Sequence, residues 1–221
     1  RVLFRSKYEV DAGSVAVGDN YVAFGRGIAL NLNRNVDIDI DTSVQGVKTV
    51  LRPGAWDVTA VAGQLNRQQV FQDNPNTEIQ GDYRHAVAGV RAERFGLGPA
   101  DIGAHGVVYD FVDEIGLGPG FDELGTEPDV YVGGLTTALY GVGGIDWYFE
   151  GDVFGFGPDQ PELSVAEAGD PGYATYASAS FYPGKLVFLV EGKRYFQTDR
   201  VNAVLTPELY EVAIAPTLEY E

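Results

Sequence analysis

Apolar and polar residues alternate with a period of two along most of the chain. That period sends successive side chains to opposite faces of a β-strand. From Val2 to Asp11, Val2, Phe4, Ser6, Tyr8 and Val10 share one face, and Leu3, Arg5, Lys7, Glu9 and Asp11 the other. From Val36 to Thr42, Val36, Ile38 and Ile40 oppose Asp37, Asp39 and Asp41. From Ile145 to Val153, Ile145, Trp147, Phe149, Gly151 and Val153 oppose Asp146, Tyr148, Glu150 and Asp152. The same alternation returns from Tyr210 to Tyr220. The predicted strands run about 9 to 12 residues, whereas an ordinary strand has about 5 to 6. A tilted strand crossing a bilayer needs about 9 to 11.

The predicted connections alternate between short and long. Tight turns fall at Arg52-Pro53-Gly54-Ala55, Gly96-Leu97-Gly98-Pro99, Gly141-Val142-Gly143-Gly144 and Pro183-Gly184. There Pro presets φ and Gly supplies positive φ. Long polar connections fall roughly at residues 64–84, 112–129, 156–172 and 197–207. The turn markers Pro53, Gly98, Val142 and Pro183 recur every 41 to 45 residues. The repeating unit is one long hairpin, and the count is ten or eleven strands.

This organisation predicts an all-β fold, an antiparallel transmembrane β-barrel of meander hairpins with short turns at one rim and long loops at the other. Apolar faces meet lipid, polar faces line a lumen, and closure pairs every backbone group. On this reading Arg5, Lys7, Glu9, Asp146, Glu150 and Asp152 face the lumen. Trp56, Phe95, Tyr109, Phe111, Tyr140, Trp147, Phe181, Tyr182, Tyr195 and Phe196 sit near predicted strand ends, as interfacial girdles require. A β-propeller also repeats at about 40 to 45 residues, but its blades hold four short strands. A β-sandwich uses shorter strands with turn signals every 8 to 12 residues or so.

Composition agrees with an all-β chain: 29 Gly, 13 Tyr and 12 Phe in 221 residues. The absence of Cys excludes a disulfide framework and a thiolate metal site. A net charge of -17 argues against nucleic acid as a partner, because that partner requires a basic surface.

Gly18 to Leu30 reads GDNYVAFGRGIAL, and Val36 to Val47 reads VDIDIDTSVQGV. These stretches resemble a motif of a family of Gram-negative outer-membrane β-barrels of unknown function, best represented in the Bacteroidetes. Pro216-Thr217-Leu218-Glu219 also looks like a family feature. The resemblance implies a large barrel in the bacterial outer membrane, with lipid bilayer and lipopolysaccharide as partners, other surface proteins among the candidates, and no specific activity. The whole of 1–221 reads as a single barrel domain and a segment of a larger barrel.

Candidate chemistry is sparse. His85 and His105 read as ordinary strand histidines, with no nucleophile elbow and no His-Glu-x-x-His. The Gly-x-Gly pieces at Gly96, Gly116 and Gly155 read as turns, since no helix follows to cradle phosphate. Carboxylates are abundant. Asp37, Asp39, Asp41, Asp122 and Glu123 are weak Ca²⁺ candidates, because hard cations want several oxygens. No EF-hand spacing frames them, so hydrated acidic faces are the default. No catalytic residue or cofactor is assigned. The expected function is a channel or a structural scaffold of a surface complex. The alternative is a secreted soluble all-β, propeller-like protein that binds a ligand or glycan.

Overall fold

A computed structural model describes residues 5–32, 34–35, 40–68, 84–112, 130–156 and 171–196. These residues form strands and turns, with no helix among them. The strands are β1 (Arg5–Val10), β2 (Gly13–Asn20), β3 (Val22–Phe24), β4 (Leu30–Leu32), β5 (Arg34–Asn35), β6 (Ile40–Leu51), β7 (Trp56–Gln68), β8 (Arg84–Leu97), β9 (Ala100–Val112), β10 (Val130–Val142), β11 (Ile145–Phe156), β12 (Gly172–Phe181) and β13 (Phe188–Phe196). One antiparallel sheet runs in the order β1-β2-β6-β7-β8-β9-β10-β11-β12-β13, with β5 also paired to β6. This is the expected meander. It is an open sheet: β1 and β13 are its edges, and among the described residues no pairing joins them. The expected closure is a pairing between strands far apart in the chain, which a local alternation pattern does not specify. Of the strand expected at Val36–Thr42, residues 40–42 open β6 and residues 36–39 lie outside the described residues, as does the strand expected at Tyr210–Tyr220.

The tight turns share one rim. Arg52 N donates to Ala12 O, Phe95 N to Ala55 O, and Tyr140 N to Pro99 O, so the first four turns are tied each to the next. Sequence reading missed the first of these turns, at Asp11-Ala12. Two turns repeat a further device. Asp101 accepts from Gly96 N and Asp146 from Gly141 N, each at 2.7 Å. In both, an aromatic-Gly-x-Gly-x-x-Asp segment carries a β-bulge, and its glycines take positive φ. The spans 69–83, 113–129 and 157–170 join strand ends at the opposite rim.

Register divides the sheet into two chemically different faces. One face carries exposed Val15, Val17, Val47, Val90, Ile102, Leu135 and Val153. Its only charged residues among the described side chains are Asp19, Arg94 and Arg194, each near a strand end. Trp56, Trp147, Phe181 and Phe188 stand on this face near the turn rim, and Tyr131, Tyr173 and Phe196 near the other. Phe95, Tyr140 and Tyr182 are exposed at the turn rim, as expected. Tyr109 and Tyr195 are not. Tyr109 is fully buried on the opposite face, and Tyr195 packs against the core there. Residue parity, which the strand-end position alone ignores, sends both inward. Phe111 has no described side chain.

Arg5, Lys7, Glu9, Asp146, Glu150 and Asp152 all point to that second face, as the alternation predicts. The first three are exposed and the last two buried. On this face opposite charges close along one strand, Lys7–Glu9 at 2.8 Å and Arg91–Glu93 at 2.7 Å, and Tyr176 OH donates to Glu191.

The core lies on this second face, under the β3–β4 hairpin. Val22 pairs Leu32, Ala23 pairs Asn31 and Phe24 pairs Leu30. Gly25 and Gly27 make the turn at φ 57° and 86°, and Gly27 N donates to Phe24 O at 2.9 Å. Phe24, Ala29 and Leu30 are fully buried. They join one cluster with Val44 of β6, Val61 of β7, Val87 of β8, Val107 of β9, Val132 of β10, Phe154 of β11 and Ala174 of β12. In a flat sheet β6 and β12 stand about 29 Å apart, while a two-stranded ribbon is about 10 Å wide. So narrow a ribbon packs against all of these strands only because the sheet curls around it. The second face is therefore the concave one.

Candidate functional site: a buried His-Glu-Asp cluster

The concave face brings together His105, Glu150 and Asp152, all buried, with ligand atoms within 4.8 Å of one another. Strand register explains the meeting. His105 on β9, Gly134 on β10 and Asp152 on β11 occupy one rung, with Gly134 in the middle. The outer two backbones are two strand spacings apart, about 10 Å. Because the central position has no side chain, the flanking ones lean over it, and His105 Nε2 meets Asp152 Oδ1 at 2.5 Å. A Cβ at Gly134 would fall 2.1 Å from Asp152 Oδ1 and 2.3 Å from His105 Nε2. Phe24 covers the imidazole from the hairpin side, ring centroids 6.1 Å apart.

Glu150 stands two residues along β11 on the same face. Its Oε2 accepts from Arg26 N and from Tyr148 OH, each at 2.7 Å. A Cβ at Gly25 would fall 2.2 Å from Glu150 Oε1. The carboxylate thus lies directly under the hairpin turn. Arg26 extends its guanidinium over the rings of Tyr148 and Tyr176, 4.9 and 5.3 Å from their centroids. The Tyr109 hydroxyl donates to Ala29 O at 2.6 Å and ties the other side of the turn. The motif segment Gly18 to Leu30 therefore forms the end of β2 and an interior hairpin latched to β9 and β11.

Three polar atoms of the cluster have no hydrogen-bond partner: His105 Nδ1, Glu150 Oε1 and Asp152 Oδ2. Buried polar atoms are normally paired, and each unpaired one costs about 1–3 kcal/mol. No described Lys or Arg side chain forms an ion pair with either carboxylate.

Of the weak Ca²⁺ candidates, Asp37, Asp39, Asp122 and Glu123 lie outside the described residues, and Asp41 lies in β6 without a described side chain. His85 likewise has only its backbone described, in β8. Asp146 caps a turn at the rim and is not part of the cluster. His105, which the sequence presents as an ordinary strand histidine, belongs to the cluster. Its inward parity in β9 was legible, but the register that brings Asp152 to it, 47 residues on, was not. No protein-family model, curated protein or solved structure matches the chain.

Proposed function

We infer that this chain is the wall of an integral bacterial outer-membrane β-barrel, acting as a channel or as a structural scaffold of a surface complex and carrying no catalysis of its own. One observation carries the reading: the convex face is apolar between two rows of aromatic residues, and the sheet's charges turn inward or lie near strand ends. In water this arrangement is inverted, because exposed sheet faces are ordinarily polar. In a bilayer it is required. The spacing fits as well. Tyr173 and Phe181 mark both rows on β12, eight residues apart. That is about 27 Å along the strand, or about 21 Å in height at a tilt near 40°. The apolar band of outer-membrane barrels is about 25 Å tall.

The hairpin favours the scaffold over a wide channel, since it narrows the concave side with fully buried packing. Trp56 and Trp147, the only tryptophans in the chain, both stand on the convex face and report directly on its surroundings. Reconstitution into vesicles of brominated phospholipid is expected to quench their fluorescence strongly. A protein that stays monodisperse without detergent and shows no quenching would be a soluble β-protein instead.

A further inference from the structure

We propose that His105, Glu150 and Asp152 form a binding site for one divalent first-row transition-metal ion inside the curled sheet. This goes beyond the membrane reading and does not depend on it, because the cluster is defined by the concave face alone.

The cluster combines one imidazole with two carboxylates, a donor set that suits Zn²⁺ or Mn²⁺ rather than Ca²⁺, which takes oxygen ligands. All three side chains are buried, and those of His105 and Asp152 expose nothing. Each carboxylate keeps one unpaired oxygen, Glu150 Oε1 and Asp152 Oδ2, and the imidazole turns its Nε2 toward Asp152 as the third donor. Charge points the same way. Two buried carboxylates face one imidazole, and among the described residues no Lys or Arg side chain is ion-paired with either. Such a group favours a positive charge at its centre, since burying unpaired charge is costly. A divalent ion with a neutral imidazole balances both carboxylates.

The required rearrangement is small. Tetrahedral ligands at about 2.0–2.1 Å from Zn²⁺ stand roughly 3.3 Å from one another. The His105–Asp152 contact at 2.5 Å must open slightly, and Glu150 must close in from within 4.8 Å. Gly134 permits this motion by leaving the rung between the two ligands empty of side chain. Around the ligands, Tyr148 OH and Arg26 N donate to Glu150 Oε2 and leave Oε1 for the ion. Tyr148 is thus a positioning residue. The ion would join β9 to β11 beneath the hairpin.

The test uses the folded protein after chelator treatment, with Zn²⁺ and Co²⁺ as probes. The expected result is one Zn²⁺ bound per chain by calorimetry, a rise in unfolding temperature, and a Co²⁺ visible spectrum typical of low coordination. His105→Gln should abolish the stoichiometric site. Tyr148→Phe, which keeps all three ligands, should weaken Zn²⁺ about 10–100-fold. Glu150→Gln provides a near-isosteric variant if the histidine variant fails to fold, and it too should lose the site. A folded wild type that takes up no Zn²⁺ or Co²⁺ at millimolar concentration would overturn the proposal, as would undiminished binding by folded His105→Gln or Glu150→Gln.

Discussion

The ring of Phe24 rests directly on Gly89: a Cβ built at that glycine lies 2.8 Å from Phe24 Cε2. The wall of the sheet has been thinned at β8 to admit the hairpin's largest side chain. Gly89→Leu is therefore expected to destabilise the fold by about 1–3 kcal/mol through overpacking. Phe24→Ala should cost about 3–5 kcal/mol through the cavity it leaves. The double variant should be more stable than the sum of the two predicts, as denaturant titration of all three proteins will show. Strict additivity would mean that the two residues do not touch.

Leu135 stands at mid-height on the convex face of β10 and is 68% exposed. If lipid covers that face, Leu135→Arg should cost about 2–4 kcal/mol in a bilayer. On a surface facing water the same change should fall within about 0.5 kcal/mol. Equilibrium unfolding from vesicles distinguishes the two.

Glu150→Ala leaves Arg26 N and the Tyr148 hydroxyl without their acceptor, at about 1–3 kcal/mol each. The hairpin turn should open more often, and trypsin should cut after Arg26 roughly tenfold faster or more than in the wild type. Equal cleavage rates would show that Glu150 does not latch the hairpin.

At the turn rim, Asp101→Ala and Asp146→Ala each remove one carboxylate acceptor from a glycine N–H. Each should lower stability by about 0.5–1.5 kcal/mol. Tyr140 hydrogen-bonds Asp101, lies beside Asp146 and ties one turn to the other through Pro99 O, so the double variant should depart from the sum of the singles by about 0.5 kcal/mol or more. Thermal unfolding of the two single variants and the double variant checks both statements.

The faces of the sheet were readable because parity is a local property. Once Phe149 is outward, Glu150 is inward, and no tertiary information is needed to say so. The turns at Pro53, Gly98, Gly143 and Gly184 were readable because Pro and Gly mark backbone conformations directly. The β3–β4 hairpin was harder. Val22, Phe24, Leu30 and Leu32 alternate as strand residues do, but nothing local distinguishes a strand that joins the main sheet from one that leaves it. The cluster was hardest. His105 and Asp152 meet over Gly134 only because three strands align in one register, and a one-residue slip on either side would part them. Tyr109 shows the same limit from the other side, since the carbonyl that satisfies its hydroxyl lies 80 residues earlier, in a turn that the strand pattern leaves unassigned.

The hairpin also imposes an order on assembly. Most of the sheet joins neighbours in sequence, so its pairs zip locally and early. The contact from Arg26 to Glu150 spans 124 residues. Closing so long a loop costs entropy that no nearby contact repays. Phe24 and Leu30 therefore complete their packing only with neighbours far later in the sequence, on β11 and β12. Docking of the hairpin becomes the closing step of folding, and refolding kinetics should show burial around Phe24 trailing the gain of β-structure.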